Sequence, residues 1–191
     1  RRITPAEIGL EYTSVERLEL EGPLSIATGD EEVCLVCLTG EVLFACAGKT
    51  GRAVPKDMLY IPPGTEISLR ASMPSVLFRF GAPCDLKTFF AHLSFAEVDR
   101  DRNRHKVYGN PETNCQRDVW HFINEDFYAG RLLTGICLGS PGGWTAWPPH
   151  EHAAKREEVY VYFDMGKAFG VQLVYEDMDR PLLVALVRDG D

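Results

Sequence analysis

His150 and His152 stand one residue apart in the stretch GGWTAWPPHEHAAKREEVYVYF, residues 142–163, and Glu157 and Glu158 follow shortly after. On an extended segment, side chains two residues apart face the same way. Both imidazoles could then reach one ion, at about 2.0–2.1 Å for zinc. A carboxylate from the next strand would add an oxygen ligand. Two prolines before His150 stiffen the approach and lower the cost of ordering it. An isolated HxH is more often chance, but a following carboxylate, an aromatic strand and preceding glycines make this one read as half of a metal site. Cys34 and Cys37 form a CxxC, yet EEVCLVCLTGEVLF reads as a strand, where residues three apart face opposite ways. With no second CxxC, they are expected to be buried small hydrophobes rather than a zinc or redox pair.

The elements that must carry these groups are strands. Short runs rich in Val, Ile, Leu and Phe, over residues 15–20, 33–38, 41–46, 58–61, 66–69 and 76–80, are separated by turn signals such as CLTGE, AGKTGR and IPPGTE. A second β-rich block is expected over 120–123, 131–138, 159–163, 170–175 and 182–187. LKTFFAHLSFAEVD is the best helix candidate, although part of it reads equally as strand. The polar stretch EVDRDRNRHKVYGNPETN reads as a solvated linker. The expected organisation is all-β, with a first unit over 1–90, a linker over 91–115 and a second unit over 116–191.

Composition narrows the function. The chain has 191 residues, 45% hydrophobic and 25% charged, with a net charge of −8, which argues against a general nucleic-acid surface. RRITPAEIGLEYTSVERLELEG has no apolar run behind its arginines and so does not read as a signal peptide. No stretch is apolar for long enough to span a membrane as a helix. A cytoplasmic protein is expected, and its six scattered cysteines need no disulfide role.

The two blocks share a pattern. DMLYIPPGTEI in the first has an Asp opening a strand, then Pro and Gly, and the second reaches the equivalent point at VRDGD, so its last strands are expected beyond that turn. GGWTAWPPHEH followed by EEVYVYF resembles the first cupin motif, and DMLYIPPG resembles the second motif of a preceding barrel, with Ile67 near the place where that motif carries a His. The resemblance therefore implies a double cupin whose first barrel has lost its metal site. Within the cupins, EEVCLVCLTGEV, LYIPPGTE, GGWTAWPPHEH, FGVQLVY and RDGD resemble the 5-deoxy-glucuronate isomerase family of inositol breakdown. EEVYVYFDM leans towards its sister, 5-keto-4-deoxyuronate isomerase of pectin breakdown.

That resemblance implies a divalent metal, zinc ahead of manganese or iron, held by His150, His152, a Glu before the aromatic strand and a later His beyond Asp191. A common cupin spacer selects Glu157. Alignment on EVYVYF selects Glu158, which is taken as the ligand because strand register decides the face. The implied reaction is aldose–ketose isomerisation of a deoxyuronate, 5-deoxy-glucuronate first, by proton transfer or by its rival, hydride shift. Glu157, Tyr160 and Tyr162 are the candidate bases, with core packing the competing role for the tyrosines. Arg117 is the candidate for the substrate carboxylate, and Gln172, alternating with Val171 and Leu173, for the cavity. A cupin dioxygenase and a non-catalytic sugar-binding cupin are the competing classes, and a homo-oligomer is left open.

Overall fold

Alternation of apolar and polar residues explains why this chain forms sheets. β5 (Val42–Cys46) and β8 (Glu66–Ala71) each bury every second residue, as strands with one face on a core do. The computed structural model describes residues 1–177 and 179–191. Its other strands are β1 (Arg2–Ile3), β2 (Ser14–Leu20), β3 (Pro23–Ala27), β4 (Glu31–Thr39), β6 (Lys49–Ala53), β7 (Met58–Ile61), β9 (Ser75–Pro83), β10 (Ala91–Leu93), β11 (His105–Tyr108), β12 (Arg117–Ile123), β13 (Thr134–Gly139), β14 (Gly170–Asp177) and β15 (Arg180–Val187). One short helix, α1, spans Phe95–Arg100.

The chain divides into two compact units, Arg1–Glu157 and Glu158–Asp191. In the first, a six-stranded sheet of order β1-β2-β9-β4-β7-β10 faces a four-stranded sheet of order β3-β8-β5-β6. Val33, Leu35, Leu59, Ile61 and Leu77 from one sheet and Phe44, Ile67 and Leu69 from the other form one apolar core. β4 is buried on both faces. Its outer side meets β13, where Thr134 Oγ1 lies 3.9 Å from Cys34 Sγ. β11, β12 and β13 form a third antiparallel sheet. In the second unit β14 and β15 form a hairpin.

Ile67 is fully buried in the core, so an apolar side chain fills the position near which the cupin motif has its His. Cys34 and Cys37 are buried thiols, as expected. Burial pushes Cys34 up to about 12 and Cys37 up to about 11.

The structure differs from the sequence reading at three places. The expected helix over 86–99 forms only from Phe95, because residues 91–93 pair with β7 as β10. The stretch expected as linker, 91–115, carries β10, α1 and β11, and the boundary between compact units falls after Glu157. Residues 159–163 join no described sheet. Tyr162 instead exchanges backbone hydrogen bonds with the 190–191 turn, Tyr162 N to Asp191 O at 2.8 Å and Gly190 N to Tyr162 O at 2.7 Å.

Candidate functional site

The loop carrying the histidines leaves β13 at Gly139 and is tied to the start of β12. Gly142 has φ +74°, the left-handed region that glycine enters without steric cost. Asn114 Nδ2 donates to the Gly142 carbonyl at 2.7 Å, and Trp144 N donates to the Asn114 carbonyl at 2.9 Å. Arg117 Nη1 donates to the Trp147 carbonyl at 3.0 Å, three residues before His150. The guanidinium also lies 5.7 Å from the Tyr108 ring centroid.

The two imidazoles are neighbours, with centroids 5.2 Å apart and planes at 76°. The backbone between them is not the extended segment expected. His152 has φ −105° and ψ −2° and caps a 3₁₀ turn over Ala153–Lys155. His150 Nδ1 lies 3.3 Å from the Pro148 carbonyl. A carbonyl only accepts, so in this contact Nδ1 is the donor and Nε2 is left to face outward from it.

The two glutamates have different surroundings. Glu157 accepts from the backbone N–H groups of Glu11, Tyr12 and Thr13, with Tyr12 N at 3.1 Å and Thr13 N at 2.9 Å. Burial works against ionisation of Glu157, but these amide donors outweigh it and hold the carboxyl below its usual range. Glu158 is exposed and begins the second unit.

Within that unit the structure brings Glu158, Tyr162 and Gln172 together. Tyr162 Oη donates to Gln172 Oε1, and the Tyr160 and Tyr162 rings stack with centroids 6.4 Å apart. Burial raises the Tyr162 phenol above its ordinary value, and the Glu158 charge adds to the rise.

Thus His150, His152 and Arg117 share one loop system in the first unit, and Glu158, Tyr160, Tyr162 and Gln172 lie in the second. Among the described residues, no three His, Cys, Asp or Glu side chains are gathered as a ready metal cage. Sequence reasoning missed Asn114 and the amides of residues 11–13. Asn114 sits in the left-handed region at φ 54°, and its polar stretch NPETN signals only a turn. Backbone donors carry no sequence signal.

The donor set fits a divalent ion chemically. A neighbouring pair of imidazoles suits zinc, iron or manganese. The Nδ1 contact to a backbone carbonyl is the outer-shell arrangement that ligating histidines use. No helix among the described residues is long and apolar enough to cross a membrane.

The architecture is all-β. An IolB-like protein from Salmonella typhimurium LT2 superposes with a TM-score of 0.82 at 23% identity, covering 100% of this chain and 77% of that one. The chain belongs to the KduI/IolB family, whose sequence profile matches residues 1–191. It is 27% identical over 179 residues to 4-deoxy-L-threo-5-hexosulose-uronate ketol-isomerase 2 of Rhizobium meliloti (strain 1021), an alignment covering 83% of this chain and 61% of the relative. It is 25% identical over 210 residues to 4-deoxy-L-threo-5-hexosulose-uronate ketol-isomerase of Opitutus terrae, covering 97% of this chain and 72% of the relative. The chain therefore spans somewhat less than two thirds of the length of the first of these relatives.

Proposed function

We propose that this chain is part of a metal-dependent ketol-isomerase acting on a deoxyuronate. The order of substrates reverses that read from the sequence. 4-Deoxy-L-threo-5-hexosulose-uronate comes first, because both relatives above bear its name, and 5-deoxy-glucuronate second. One observation carries the reading. Arg117 holds the Trp147 carbonyl, so a cation suited to a carboxylate and two imidazoles suited to an ion belong to the same loop system.

In this reading His150 and His152 hold the ion. When bound, a divalent ion supplies a Lewis acid for the substrate carbonyl. Glu157 is not favoured as a carboxylate ligand, because three amides already occupy it. The same contacts remove Glu157 from the candidate bases. Tyr162, kept protonated by burial and by Glu158, serves as a proton donor at Oη rather than a base. Gln172 orients that hydroxyl by accepting from it. Tyr160 remains the candidate for taking up the substrate proton. The two packed sheets built from β2 to β9 bind no metal in this reading, their shared core being apolar at Ile67.

The test uses the full-length protein purified without chelator. Elemental analysis should find close to one divalent ion per chain, and His150→Ala with His152→Ala should remove it. Proton NMR of each uronate, with zinc, manganese or iron supplied, should show conversion. Metal binding without conversion of either uronate would leave a sugar-binding cupin as the better reading.

A further inference from the structure

We infer that His105 is a clasp closed by a proton: when charged it holds α1 to the third sheet through Asp99 and Asp118, and when it loses the proton that side loosens. Both ring nitrogens of His105 face acceptors. Nε2 lies 2.7 Å from Asp118 Oδ1, and Nδ1 lies 3.2 Å from the Asp99 carbonyl and 3.4 Å from Asp99 Oδ1. A carbonyl and an ionised carboxylate only accept, and a neutral imidazole has one N–H to give. The imidazolium, with two, satisfies both sides at once.

The ring is built into the face on which α1 packs. His105 stands opposite Trp120 in the β11–β12 register, and the two rings stack with centroids 4.7 Å apart and planes at 21°. Asp118 and Trp120, two apart on β12, share that face. Trp120 Nε1 donates to Asp99 Oδ1 at 2.8 Å, so Asp99 of α1 touches both stacked rings. Phe95, at the start of α1, packs on the Trp120 and Phe122 rings with centroids at 5.3 and 6.4 Å. Its N–H donates to Asp57 Oδ1, just before β7 of the six-stranded sheet. α1 thus joins the third sheet to the first, and His105 closes the end of that joint away from Asp57. Arg117 is next to Asp118 in β12, so the clasp lies beside the residue proposed above for the substrate carboxylate, although it does not depend on that reading.

The hydrogen bond to Asp118 raises the imidazole above its ordinary 6.5; the Asp99 carbonyl and the charges of both aspartates add to the rise, and burial opposes it. Of the neighbouring charged groups, Asp101 accepts from Asn103 N, Arg104 donates to the carbonyls of His121 and Phe122, and Lys106 donates to the Arg102 carbonyl. A raised folded value stabilises fully below the unfolded value and is lost as pH rises through the folded one. One proton changes the opening equilibrium by up to about 10-fold per pH unit across that window.

The test is a nuclear magnetic resonance titration of the histidine rings in the full-length protein. It is joined to amide hydrogen exchange of a peptide covering residues 95–108, corrected for the intrinsic pH dependence of exchange. His105 should titrate above 6.5, and Asp118→Asn should bring it down towards that value. Corrected exchange in 95–108 should rise through the His105 titration by up to about 10-fold per pH unit, while β4 and β9 stay protected. His105→Gln, which cannot take up a proton, should abolish that rise. Should this variant not fold, Trp120 emission in a Trp144→Phe, Trp147→Phe background gives the same answer. A stacked imidazolium quenches indole emission more than a neutral ring does, so emission should climb through the titration. His105 titrating at or below 6.5 would overturn the clasp. So would exchange in 95–108 that stays flat through the titration, or that rises equally in His105→Gln, or Trp120 emission that does not change.

Discussion

Glu32 is the residue whose replacement should damage this structure most. Its side chain is completely buried on β4, yet both carboxylate oxygens are used. Oε2 accepts from Tyr60 Oη at 2.6 Å and from Gly130 N at 2.7 Å, and Oε1 accepts from Arg131 N at 2.5 Å and from Leu132 N at 2.7 Å. Every contact uses Glu32 as an acceptor. Glu32→Gln keeps the volume but replaces one oxygen with an amide NH2, so two of the four donors face another donor. At about 1.5–3 kcal/mol for each hydrogen bond to a charged group, the expected loss is about 3–6 kcal/mol. That is a large part of the roughly 5–15 kcal/mol by which domains are stable. With a urea dependence of about 1–3 kcal/mol per molar, the midpoint should fall by about 1–6 M. Amides 130–132, which lead into β13, should lose protection in hydrogen exchange. A loss below about 1 kcal/mol with those amides still protected would refute the claim that this buried carboxylate organises the loop before β13.

Three further outcomes are expected. Asp57 is buried, which opposes its ionisation, but hydrogen bonds from His92 at 3.0 Å, Phe95 N at 2.9 Å and Val54 N at 3.1 Å outweigh burial and hold its carboxyl below the ordinary 3.8. A depressed folded value stabilises fully above the unfolded value and is lost as pH falls through the folded one. Stability measured from about pH 5 down to about pH 2.5 should therefore fall below about pH 4, and Asp57→Asn should be less stable at pH 5 and flatter below it. Cys34 and Cys37, with thiols raised to about 12 and about 11, should resist iodoacetamide at pH 8 until denaturant is added, as mass spectrometry would show. Arg117→Ala should lower kcat/KM on the uronate by about 10–100-fold, and far less on the matching uncharged sugar. Equal losses on both would mean that Arg117 acts only through the Trp147 carbonyl.

What local chemistry decides was legible from the sequence. The strands over 15–20, 33–38, 41–46 and 58–61 recur closely as β2, β4, β5 and β7, because alternation and branched side chains act over a few residues. The CxxC read as two buried thiols because strand geometry alone sends its members to opposite faces, and both are buried. The pairing of His150 with His152 was visible from spacing, although the backbone that brings their rings together is a turn rather than a strand.

Residues 91–93 became a strand because β7 offered them an edge, a choice that the helix-like pattern of 86–99 could not register. Glu157 and Glu158 are the same residue type side by side, so composition could not divide their roles. Amides 144 to 146 residues away surround Glu157. Glu32 likewise stands in the sequence as one charge beside another, and only the fold closes Tyr60 and the amides of 130–132 around it. The reason is the same in each case. A carboxylate's role depends on which donors surround it, and backbone N–H groups, present at every residue except proline, leave no trace in the sequence until the fold brings them together.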